Sequence, residues 1–95
     1  MERHEIKALV DARMEEGKRT LDTMKARLDA TTGEAAADYR ERVAQLKREH
    51  DELKARAARS LEVADEAFDA ACKDLELAMD EWDVLAKRTF HGLPK

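Results

Sequence analysis

From residue 34 to residue 89 the chain contains neither glycine nor proline, the residues that most readily end a helix or turn the backbone. So long a stretch without punctuation has few options. Strand formers are sparse in it and never alternate over a useful window, so no sheet face can be built. Ala, Glu, Lys, Leu and Arg dominate, and 42% of residues are Asp, Glu, Lys or Arg, against about 25% in an average globular protein. This is the blend of long helices and coiled coils. Ninety-five residues leave room for one small domain, 1–95, of all-α class.

One break stands out, at Asp29, Ala30, Thr31, Thr32 and Gly33. Thr32 is placed to cap the following helix, with Gly33, Glu34 and two alanines opening its first turn. A first helix is therefore expected over about 2–29. Within it Val10, Met14, Gly17, Leu21, Met24 and Leu28 recur at alternating spacings of four and three, a heptad seam. Gly17 lies on that seam, where it costs about 1 kcal/mol relative to Ala but lets a neighbouring helix approach closely.

In the second helix Tyr39, Val43, Leu46, His50, Leu53 and Ala57 hold a seam, and from Ala57 to Leu61 one four-step follows another. Leu61, Ala64, Phe68, Ala71, Leu75, Ala78, Trp82 and Leu85 then resume it, so the irregularity reads as a stutter within a continuous helix. Lys87 and Arg88, then Gly92 and Pro94, signal its end. At about 1.5 Å per residue, a helix over 34–89 would reach roughly 80 Å, about twice the first. The leading expectation is a helical hairpin, short helix 2–29 and long helix 34–89, that forms a coiled-coil bundle by self-association. The alternative is a three-helix bundle with a break near Ser60. Lys54, Arg56 and Arg59 precede that serine while Glu62, Asp65 and Glu66 follow it, the charge order of a helix end and a new helix start.

In the hairpin, the second half of the long helix is left bare. Beyond Leu61 the apolar stripe widens, flanked by Val63, Ala70, Leu77 and Val84 on one side and Cys72, Met79 and Ala86 on the other. A stripe this wide needs more than one neighbouring helix. The expectation is a homodimer with antiparallel long helices, its self-association surface formed by Leu61, Ala64, Phe68, Ala71, Leu75, Ala78, Trp82 and Leu85.

Chemistry has little foothold. Neither Glu-x-x-His nor His-Glu-x-x-His occurs, no phosphate-binding loop is present, and no Ser-His-Asp set can be assembled. The expectation is a non-enzyme with no cofactor and no metal site. His50 sits on the seam, either packed with one nitrogen hydrogen-bonded or, as a weaker alternative, a metal ligand beside Glu49 or Asp51. His4 and His91 lie near the ends. The single Cys72 excludes an intrachain disulfide and reads as a small buried hydrophobe. Net charge is −4, and basic residues are interleaved with acidic ones, so nucleic acid is not expected as a partner. Residues 61–95 hold nine acids against four cations, mostly opposite the seam, as on a solvated face. Phe68, Trp82 and Phe90 would suit reversible lipid binding, but membrane-lying helices carry Lys and Arg on their polar face and this one is acidic. The charged start and the lack of a spanning-length apolar run make a soluble cytoplasmic protein the expectation.

Three segments carry a resemblance: Tyr39-Arg40-Glu41-Arg42-Val43-Ala44-Gln45-Leu46, Glu66-Ala67-Phe68-Asp69-Ala70-Ala71 and Leu77-Ala78-Met79-Asp80-Glu81-Trp82. With them, most of the chain resembles a broad group of small bacterial coiled-coil proteins of unknown function. Their plan is a shorter helix, a small-residue bend and a long charged helix, and the pattern is loosely similar to apolipoprotein-type helices. That resemblance implies a fold and no established activity.

Overall fold

The computed structural model describes residues 2–31 and 33–92, the Ala35 side chain aside. It holds three helices of equal length: α1 Arg3–Asp29, α2 Glu34–Ser60 and α3 Asp65–His91, each 27 residues. They fold back on one another as an up-down-up bundle of 52 × 17 × 17 Å. The α1 boundaries and the α2 start fall where the sequence placed them. At the α1–α2 corner Gly33 is at φ 104°, ψ 175°, a region essentially restricted to glycine. The Thr32 cap and the Pro94 stop lie outside the described residues.

The long helix over 34–89 does not form. α2 ends at Ser60, the chain turns through residues 61–64, and α3 begins at Asp65. The bundle is accordingly about 52 Å long, and the antiparallel rod of two long helices has no such element to build on. The break falls at Ser60, as in the three-helix alternative, and Ser60 is the buried last residue of α2. Ala64, extended at φ −61° and ψ 153°, precedes α3 without a side-chain cap.

Tertiary contacts hold this turn in place of glycine or proline. Arg3, in the first turn of α1, donates to the Leu61 carbonyl at 2.8 Å, the Val63 carbonyl at 2.7 Å and Asp65 Oδ1 at 2.7 Å. Its guanidinium lies 4.1 Å from the centre of the Phe68 ring. The charge order does the rest: Arg59 sits in the last turn of α2, Asp65 and Glu66 in the first turn of α3, each favourable to its helix dipole. Breaking the helix forfeits a few backbone hydrogen bonds, about 1 kcal/mol each. Folding back buries Phe68, Leu75, Met79, Trp82 and Ala86, and each large side chain among them is worth about 1.5–3 kcal/mol. Burial wins.

The other corner is built the same way. Arg40 of α2 donates to the Leu28 and Thr31 carbonyls at 3.2 and 3.3 Å, and Thr31 Oγ1 donates to the Arg27 carbonyl at 2.8 Å. At each corner, then, an arginine from another helix donates to carbonyls in or beside the turn.

All six seam residues of α1 are buried. Of the α2 seam, Val43, Leu46, His50, Leu53 and Ala57 are buried and Tyr39 is half-buried against the core. On α3 the buried line runs through Phe68, Leu75, Met79, Trp82 and Ala86. It is therefore rotated toward Met79 and Ala86 relative to the predicted seam, because α3 must face α1 and α2 together.

Candidate docking face on the third helix

The interior polar side chains of the described residues are all hydrogen-bonded. At mid-height Gly17 of α1, His50 of α2 and Trp82 of α3 share one layer. His50 Nε2 lies 2.8 Å from the Met14 carbonyl, which can only accept, so Nε2 carries the proton in this contact. The Trp82 indole N–H donates to the Leu46 carbonyl at 2.9 Å. The two rings pack with centroids 5.2 Å apart. Every buried side-chain nitrogen and oxygen among the described residues has a hydrogen-bond partner. His50 is therefore a core residue engaged by α1, and neither Glu49 nor Asp51 joins it in a ligand cluster. The three metal-capable side chains that do converge, Glu2, His4 and Glu5, are exposed at the start of α1.

α1 and α3 are held at their edges. Arg3 covers Phe68, Arg27 lies 4.6 Å from the centre of the Phe90 ring, and Arg13 bridges Asp80 and Asp83 between them. Partial burial opposes charge on Arg13, but the hydrogen-bonded carboxylates of Asp83 and Asp80 outweigh it and raise its pKa above the ordinary value. Beside this bridge an open groove of about 410 Å³ runs between the helices, lined by Ile6, Leu9, Val10, Cys72, Leu75 and Met79 among others. Cys72 is half-buried. Burial and the nearby Asp69 charge raise its thiol pKa, and Arg3 offsets only part of this. Of the three aromatics on α3, Phe68 and Trp82 are buried and Phe90 packs against the core.

The predicted self-association residues divide. Phe68, Leu75 and Trp82 are buried in the chain's own core; Leu61, Ala71 and Ala78 are half-buried; Ala64 and Leu85 are exposed. What α3 turns outward is one flank of the predicted seam, together with Leu85 from the end of the seam itself. Leu77 is 62% exposed, Val84 48% and Leu85 45%. On this face an exposed line runs Glu66, Ala70, Lys73, Leu77, Glu81, Val84, Arg88, at spacings of three and four. The heptad relation of Ala70, Leu77 and Val84 is present in the sequence, where these residues flank a wide apolar stripe, and it becomes an outward face because α3 folds back on α1 and α2.

No helix among the described residues is long and apolar enough to cross a membrane. No family model matches this chain, and no curated protein or solved structure matches it either.

Proposed function

We propose that this protein is a non-enzymatic helical interaction module that docks a partner helix along the outer face of α3. The observation that carries the reading is the exposure of Leu77 and Val84, one heptad apart on a helix whose opposite side packs into the bundle core. Apolar side chains at heptad spacing on an outward face offer the seam that another helix packs against. The internal polar groups support a scaffold role, since His50 and Trp82 spend their hydrogen bonds on backbone carbonyls.

A photoreactive phenylalanine analogue placed at position 84, with position 45 on exposed α2 as control, tests this in cells. The reading expects cross-links from position 84 to one defined helical peptide, identified by mass spectrometry, and none from position 45. Lipid adducts at position 84, or equal protein labelling at both positions, would overturn it. Asp74 and Asp80 flank the line, and on it Glu66 and Glu81 balance Lys73 and Arg88, so the face lacks the Lys- and Arg-rich border of a membrane-lying helix and anionic vesicles are expected not to bind.

A further inference from the structure

Resting on the docking-face reading, we infer that the partner of this face is a second copy of the same chain, with the two α3 helices antiparallel about a two-fold axis at Leu77. The line Glu66, Ala70, Lys73, Leu77, Glu81, Val84, Arg88 is self-complementary about its centre. Its spacings read the same in both directions, four, three and four on either side of Leu77. When the partner helix runs the opposite way, Leu77 meets the same residue of the other copy, and Ala70 meets Val84. Lys73 then meets Glu81, and Glu66 meets Arg88. A two-fold axis makes each of these pairings twice, apart from the central Leu77–Leu77 contact on the axis itself, so both copies are satisfied by one interface. The parallel arrangement would stack Glu66, Lys73, Glu81 and Arg88 each on its own like charge, so the same residues select against it.

The four charged side chains are available for this. None of them takes part in an ion pair within the chain among the described residues, whereas Arg3, Arg13, Lys7 and Lys47 do. All four are exposed, as are Ala70, Leu77 and Val84. The like-charged neighbours Asp74 and Asp80 come together only at the rim, and Asp80 is already compensated by Arg13. A single pair of helices buries an area at the low end for specific complexes, below about 1,200 Å². The dimer is therefore weak and salt-sensitive, visible at about 100 μM and dissociating on dilution.

Sedimentation equilibrium of the full chain across that concentration range tests the pairing. The wild-type protein should show a reversible monomer–dimer equilibrium. Lys73→Glu, an exposed change that leaves the helical circular dichroism intact, should weaken it about tenfold by turning two attractive rim pairs repulsive. The double swap Lys73→Glu with Glu81→Lys should restore it. In a Cys72→Ala background, Leu77→Cys should oxidise to a disulfide-linked dimer across the axis, and Arg48→Cys on α2 should not. A chain monomeric at every concentration, a dimer indifferent to Lys73→Glu, a swap that fails to restore association, or no preference for the position-77 disulfide overturns the proposal. A monomer that still cross-links from position 84 to a different protein would defeat self-pairing and leave the docking face standing.

Discussion

A Cβ placed on Gly17 would lie 3.0 Å from both Cδ2 and Nε2 of His50, so the imidazole occupies the space that the glycine leaves open. The same atom would lie 3.1 Å from Trp82 Cζ3. Gly17→Ala should gain about 1 kcal/mol of helix propensity. Here it should lose more, because both rings are rigid and tied to carbonyls of α1 and α2 and cannot retreat. A net destabilisation of about 1–2 kcal/mol is expected. Thermal unfolding followed by circular dichroism would register it as a Tm lowered by about 4–8 °C per kcal/mol; a raised Tm would mean that the rings yield.

Arg3→Ala should loosen the α2–α3 corner specifically. It removes donors to the Leu61 and Val63 carbonyls and the cover over Phe68. The expected cost is about 1–2 kcal/mol, with part of it discounted for solvent exposure. Hydrogen exchange should accelerate at the amides of residues 61–65 more than at the α1–α2 corner. Arg3→Lys should recover little, since an ammonium group lacks the guanidinium's planar fork of donors.

Cys72 should alkylate more slowly than a free thiol at the same pH, because burial and then the Asp69 charge disfavour the thiolate. The sign for a variant follows: Asp69→Asn removes a nearby negative charge, lowers the thiol pKa and speeds the reaction. Iodoacetamide kinetics at neutral pH would measure both, and a slower Asp69→Asn would contradict the assignment.

In dilute solution, small-angle scattering should give a radius of gyration near the 15.4 Å of the bundle. A straight helix of roughly 80 Å would give about 23 Å from its length alone. The two shapes are well separated by this one number.

Much of the fold can be read from the sequence, and the part that cannot has a physical cause. The α1 seam and nearly all of the α2 seam follow from heptad spacing, and Gly33 marks the first corner because only glycine suits its backbone. The second corner carries no such residue. Its stabiliser, Arg3, stands about sixty positions away in the chain, and no local pattern connects it to Leu61 and Val63. The charge reversal from Arg59 to Asp65 was the available sign, set against an apolar seam that runs on without interruption. Once that corner is placed, the surface inverts: Phe68, Leu75 and Trp82, expected to meet another molecule, are enclosed by α1 and α2, and Leu77 and Val84 face outward.

The Gly17, His50 and Trp82 layer also bears on how the helices choose their alignment. Seams made of Leu, Met, Val and Ala are nearly periodic, and one helix displaced along another by seven residues would still match apolar to apolar. Shifted in that way, α1 would present Val10 or Met24 to the imidazole in place of the glycine, and the ring would have no room. The layer works as a key cut at one position. It contributes less to how strongly the three helices hold together than to ensuring that they close in a single register.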